Sequence, residues 1–133
     1  MEVFLGGTTA EGTTWREKLI PQLEIDYFNP VVDDWNDEAY EKELEKRETC
    51  DYVLYVISPL MIGTYSIAEV VDDSNKRPGK TIMCVLEYDG EDDVDWGRAQ
   101  RKSLVAVEKM VAKNGALVLE DINEVADVLN SLK

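Results

Sequence analysis

The sequence predicts an α/β domain built on a doubly wound, five-stranded parallel sheet in the order 2-1-3-4-5, and three observations lead there. Short apolar runs alternate with helix-patterned runs along the whole 133 residues. The strongest run, Tyr52-Val53-Leu54-Tyr55-Val56-Ile57, is apolar throughout, as a strand covered on both faces must be. A hydrophobic content of 44% over this length is enough to bury one core, so residues 1–133 are expected to form one domain. Strands that alternate with helices pair in parallel through right-handed crossovers, and 2-1-3-4-5 is a common order for five of them.

The elements follow in order. Met1 to Leu5 is a short apolar strand ended by Gly6-Gly7. Thr13 or Thr14 is placed to cap the next helix, with Glu17 three residues after Thr14 as in a capping box. Trp15, Leu19 and Leu23 recur at helical spacing, and Pro21 must shorten or kink that helix. A second strand covers Ile25 to Phe28 and stops at Asn29-Pro30. After the polar loop Asp33-Asp34-Trp35-Asn36, residues 37–50 are rich in Glu, Lys and Leu and read as helix. The third strand is Tyr52 to Ile57. Ser58-Pro59 opens a loop, and a helix from Ser66 to Asn75 ends at Arg77-Pro78-Gly79. Thr81 to Leu86 is the fourth strand, followed by an acidic loop from Glu87 to Asp95. A long helix spans 96–113, a short strand 116–119, and a last helix 121–132.

In this strand order the switch point lies between strands one and three, and ligands bind outside the carboxyl ends of those strands. The loops Gly6–Thr9 and Ser58–Tyr65 are therefore nominated before any motif is invoked. Phe4, Gly6, Gly7, Trp35, Glu43, Ser58 and Glu69 are expected to converge on one cleft there.

Charge and composition exclude several classes of function. With 28 acidic and 14 basic residues the formal net charge is −14. Such a surface repels phosphate backbones, so neither nucleic-acid polymers nor anionic membranes are expected partners. A small nucleotide remains compatible, because a local pocket can oppose the global field. The chain has no histidine, which removes Ser-His and Cys-His chemistry. Cys50 and Cys84 form no metal-binding spacing and read as buried free thiols of a cytoplasmic protein. No stretch is long or apolar enough for a signal peptide or a membrane span. No cofactor is expected.

The candidate chemistry lies in few residues. Glu69 falls in the expected first turn of the helix after strand three, where the helix dipole favours an ionised carboxylate suited to act as nucleophile or base. Ser66-Ile67-Ala68-Glu69 equally reads as a capping box. Gly6-Gly7-Thr8-Thr9 can present N–H groups and hydroxyls to a sugar or phosphate, or be a plain tight turn; it lacks both the G-x-G-x-x-G and the Walker patterns. Trp35 can stack on a base or pack on its own domain. Glu43, surrounded by Glu41, Glu45 and Glu48, reads from the residues alone as part of a solvated helix face. The acidic run from Asp89 to Asp95 lacks the glycine and the closing glutamate of a calcium loop, and reads as solvated.

Across most of its length the sequence resembles the nucleoside 2-deoxyribosyltransferase family. The likeness rests on the Gly-rich turn after strand one, the tryptophan-bearing helix, Asn29-Pro30 after strand two, Cys50-Asp51 before strand three, and the segment Gly63-Thr64-Tyr65-Ser66-Ile67-Ala68-Glu69. The resemblance implies a flavodoxin-like fold and an activity that cleaves or transfers the N-glycosidic bond of a nucleoside or nucleotide. It implies Glu69 as the nucleophile and Glu43 at the family's base-contacting aspartate, with Gly6, Gly7, Thr8, Asn29, Asp34, Trp35, Ser58 and Ser66 around the substrate. Gly63 stands where the family has an aspartate, and Phe4 where it has a tyrosine. Without histidine, the proton for the leaving base has to come from a carboxyl group such as Glu43 or Asp34. The family's habit of completing the pocket with a neighbouring subunit implies a homo-oligomer. Two other readings stay open: a nucleotide-binding module without catalysis, and a Toll/interleukin-receptor-like NAD hydrolase.

Overall fold

In the computed structural model, which describes residues 1–132, five parallel strands form one sheet with helices on both faces. The elements are β1 (Glu2–Gly7), α1 (Trp15–Leu19), β2 (Asp26–Phe28), α2 (Asp37–Thr49), β3 (Tyr52–Ile57), α3 (Tyr65–Lys76), β4 (Thr81–Val85), α4 (Arg98–Lys113), β5 (Leu117–Leu119) and α5 (Ile122–Ser131). Short 3₁₀ turns at Ile20–Gln22 and Pro78–Lys80 complete them. The strand order is β2-β1-β3-β4-β5, the flavodoxin-like arrangement expected from the alternation of elements. In register, Phe4 pairs with Phe28 on one side and with Val53 on the other, and Val56 pairs with Gly7 and Cys84.

Because side chains alternate across a strand, β3 divides its apolar run between two cores. Leu54 and Val56 pack with Trp15 and Leu19 of α1 and with Ile122, Val125 and Leu129 of α5. Val53, Tyr55 and Ile57 face the opposite way, toward Val70 of α3 and Leu104 and Val111 of α4. The edge strands β2 and β5 are short and only partly covered, which is why they are less apolar than the centre.

Helix α2 is unusual. Its buried residues are Glu43 and Arg47, and it has almost no apolar face. It docks through charge: Arg47 Nε and Nη2 donate to Asp73 at 3.1 Å each, with Nη2 also 3.1 Å from Asp72. Asp73 is fully buried and accepts further bonds from the Tyr55 hydroxyl at 2.5 Å and from Arg77.

Neither expected capping box forms. Thr14 does flank α1, but its hydroxyl and its N–H both donate to Asp89. Helix α3 begins at Tyr65, with Thr64 as the flanking residue and no side-chain cap. Glu69 thus lies in the second turn and is free of any capping duty. The acidic loop after β4 is also not uniformly solvated. Asp89 is 3% exposed and accepts from Thr13 Oγ1 at 2.5 Å, Thr14 N at 3.0 Å and Gly90 N at 2.8 Å. These donors, together with the Ser58 hydroxyl, outweigh burial and hold its carboxyl below the usual range.

Candidate functional site

At the carboxyl ends of β1 and β3 lies a cleft of about 500 Å³. Its lining includes Gly6 and Gly7 at the end of β1 with Thr8 and Thr9 just after it, Trp35 and Glu43 from the β2–α2 segment, and Gly63, Tyr65, Ser66 and Glu69 around the start of α3. This is the switch point at which doubly wound sheets bind ligands.

Gly6 and Gly7, expected as a turn after a strand ending at Leu5, instead continue β1 and pair with Tyr55 and Val56 of β3, so the turn begins only at Thr8. A Cβ on Gly6 would lie 2.6 Å from the Tyr55 ring, and one on Gly7 only 2.1 Å from the Val56 carbonyl oxygen, where φ is +121°. Glycine is therefore required by the strand behind the turn. The turn is held from below as well. Arg16 is buried, and its Nη1 and Nη2 donate to the carbonyls of Thr8 (2.7 Å) and Leu5 (2.8 Å) while its guanidinium lies 4.1 Å from the Trp15 ring centre. Burial lowers Arg16 to about 10, against the opposing pull of Glu43. Thr8 Oγ1 accepts from the Ser58 N–H at 3.0 Å and so pins the two nominated loops to each other.

The two glutamates meet on one side of the cleft. Glu43 is 8% exposed and Glu69 only 5%, so the solvated reading of Glu43 does not hold. Burial first, then a hydrogen bond to Glu43 and its charge, push the Glu69 carboxyl up to about 9; Arg47 opposes them. Among the described residues Glu69 Oε2 has no hydrogen-bond donor, and its ion-pair partner is Arg47, with Nη1 at 3.8 Å. Two carboxyl groups in contact satisfy each other only when a proton sits between them, so the free protein keeps Glu69 protonated at neutral pH. The dipole argument for an ionised Glu69 is overruled by burial and by Glu43.

The remaining expected site residues are placed as follows. Thr8, Trp35, Gly63 and Ser66 line the cleft with Gly6, Gly7, Glu43 and Glu69. Phe4 does not: it is fully buried in the core, stacked on Phe28 with ring centres 6.0 Å apart and packed against Tyr55. Its side chain packs into the core beside α3 and α4, with its ring directly under the lining residue Gly6. Ser58 is fully buried too, and acts through its bonds to Thr8 and Leu60. Asn29 borders an adjoining depression that shares Thr9, Arg16 and Val31 with the cleft, while its Oδ1 accepts from Val31 N. Asp34 is exposed and outside the lining.

Sequence reasoning missed Arg16 and Arg47, and reached Tyr65 only as the end of the nominated Ser58–Tyr65 loop. Arg16 and Arg47 follow the tryptophan and Glu43 at spacings one and four, and a buried arginine leaves no hydrophobic signature. Tyr65 stands at the cleft mouth with Trp35, Val31, Val32 and Ile62, all exposed apolar or aromatic residues. Trp35 meets Tyr40 edge-on at 6.1 Å, and Tyr40 in turn hydrogen-bonds Tyr65. The mouth is thus an aromatic and aliphatic rim above a floor of paired acids. Among the described residues no three His, Cys, Asp or Glu side chains gather as a metal site, and no helix is long and apolar enough to cross a membrane.

Chemically, a carboxyl pair that holds one proton offers both a nucleophilic oxygen and an acid, beside a turn and rim suited to a polar ring and a flat one. The model of the family described as nucleoside 2-deoxyribosyltransferase like matches residues 1–88, which contain every residue lining the cleft. No curated protein matches the chain.

Proposed function

Because the chain belongs to the nucleoside 2-deoxyribosyltransferase-like family, we propose that the cleft binds a nucleoside or nucleotide and that the Glu43–Glu69 pair breaks its N-glycosidic bond. The observation that carries this reading is the pairing of two buried carboxyl groups at the switch point. The base stacks within the Trp35 and Tyr65 rim, and the sugar lies against Gly6–Thr9, with its anomeric carbon over Glu69.

The proton of the pair moves onto Glu43 as the substrate fills the site. Glu43 then gives it to the leaving base, and the Glu69 carboxylate attacks the anomeric carbon as the C–N bond breaks. The transition state has oxocarbenium character, which the adjacent carboxylate stabilises by charge and then by covalent capture. Water or a second base releases the sugar from the glycosyl-enzyme, giving hydrolysis or transfer. The arrangement needs one proton on the pair. Base release therefore falls as pH rises past about 9, the value to which burial and Glu43 raise Glu69.

The exposed rim of Val31, Val32, Trp35, Ile62 and Tyr65 supports a homo-oligomer in which a second copy covers the mouth. The test is free base released from a panel of deoxynucleosides, ribonucleosides, nucleotides and NAD. Wild type is expected to be active on a nucleoside or nucleotide, Glu69→Gln inactive, and Glu43→Gln slowed about 10²–10⁴-fold, the usual worth of a general acid. Turnover by Glu69→Gln at the wild-type rate defeats the reading. An inert wild type whose melting temperature rises with a nucleotide is a binding module instead.

A further inference from the structure

Glu69 is the reacting carboxyl in the reading above, and the inference here rests on that reading. The groups facing it come from three elements. Glu43 and Arg47 project from α2, Tyr55 rises from β3, and Tyr65 and Asp73 share α3 with it. Arg16, from α1, faces Glu43. Arg47 is thus the cation beside Glu69 itself, with Nη1 3.8 Å from Oε2.

The guanidinium of Arg47 cannot wander. Nε and Nη2 grip both oxygens of Asp73 at 3.1 Å, and Nη2 also reaches Asp72. Asp73 is itself fixed by Tyr55 and Arg77 in a fully buried position. Nη1 takes no part in those bonds. It is held toward an oxygen that has no hydrogen-bond donor of its own. A bidentate guanidinium–carboxylate fork fixes direction as well as distance, so the positive charge is aimed rather than merely near.

We propose that Arg47 is a positioning residue: clamped by Asp73 and Asp72, it serves as the fixed counter-ion of the Glu69 carboxylate formed during the reaction. A unit charge at about 4 Å in a largely buried site favours the ionised partner far more than it would in water. The fork to Asp73 is the reason that α2, almost bare of apolar side chains, docks where it does. The helix delivers the acid Glu43 and the cation Arg47 one turn apart, each beside Glu69.

A merely structural Arg47 would tie α2 to α3 without affecting Glu69. The two are separated by following the Glu69 side-chain carboxyl by carbon-13 NMR as pH is raised, with Glu69→Gln identifying the signal, alongside kcat and KM for base release. Arg47→Gln keeps a donor for Asp73 and loses the charge. It is expected to move the Glu69 titration upward by about one pH unit or more, the usual effect of removing an opposite charge at this range. It is also expected to lower kcat about tenfold or more at pH 7 with KM within about threefold, the change that an interaction made only on the reaction path produces. Arg47→Lys should restore the titration and part of kcat. If Arg47→Gln does not fold, Arg47→Gln/Asp73→Asn compared with Asp73→Asn alone isolates the same charge. An unchanged Glu69 titration overturns the counter-ion role, and a loss confined to KM overturns its part in the reaction. Should wild type release no base from any substrate, the functional reading fails, while the titration still decides whether Arg47 governs Glu69.

Discussion

Replacing Glu69 by Gln should make the protein more stable at neutral pH. In the folded chain, burial and Glu43 raise the Glu69 carboxyl from 4.5 to about 9. The unfolded chain ionises it near its ordinary value. This carboxyl therefore supports folding fully only below about pH 4.5, and that support is lost as pH rises toward 9. At pH 7 the unfolded state has gained about 2.5 pH units of ionisation free energy that the folded state forgoes, at about 1.4 kcal/mol each. The burden is at most about 3–4 kcal/mol. Glutamine has the same shape, cannot ionise, and donates its amide to Glu43, so the variant escapes the burden. Urea unfolding of both proteins at pH 4.5, 6, 7 and 8 reads the difference. The expected result is near equality at pH 4.5 and a gain for Glu69→Gln that grows with pH, to at most about 3–4 kcal/mol at pH 7. A variant equally destabilised at pH 4.5 and pH 8 would refute the protonated, buried pair.

Other substitutions test other parts of the frame. Gly7→Ala places a Cβ 2.1 Å from the Val56 carbonyl at φ +121°, and should cost more than about 3 kcal/mol or prevent folding, read as loss of the cooperative melt. Gly63→Asp meets nothing within 4 Å of its new Cβ and should leave stability within about 0.5 kcal/mol by urea titration, while placing a third carboxyl at the cleft and changing the pH profile of base release. Asp89→Ala strips Thr13, Thr14 and Gly90 of their shared acceptor and should cost about 1–3 kcal/mol at pH 7. Because the Asp89 carboxyl is held below its ordinary value, that loss shrinks as pH falls through 4 and below, which acid titration of both proteins checks. Trp35→Ala, at a position 56% exposed, should leave the melting temperature almost unchanged and raise KM for base release.

The sequence disclosed the scaffold better than the site, and the reasons are particular. Strand β3 was legible residue for residue because both faces of a central parallel strand must be apolar. Strand β2 proved one residue shorter than Ile25–Phe28, since an edge strand has only one neighbour to enforce its pattern. Helix α2 was legible as a helix, but its docking face was not. Glu43 and Arg47 are an i, i+4 pair in a run of charges, and a face that docks by ion pairing looks like a face in water. The acidic loop hid Asp89 for a related reason, because its partners Thr13 and Thr14 lie about seventy-five positions earlier in the chain. The nominated loops do border the cleft, because their meeting at the switch point follows from strand order alone. The protonation of Glu69 was beyond reach, since it depends on the contact with Glu43.

Every side chain that lines the cleft precedes residue 70, while α4, β5 and α5 supply cover for the sheet and none of the lining. The molecule thus divides its labour along the chain, with the cleft in the first half and ballast in the second. For an engineer, the exposed positions of residues 98–131 are the place to graft a purification handle or shed negative charge, because none of them lines the cleft, whereas Leu104 and Val111 pack beside Val70 of α3 and are better left alone. The same partition frees that stretch to drift in ancestry, as long as it continues to bury Val85, Leu119 and their neighbours.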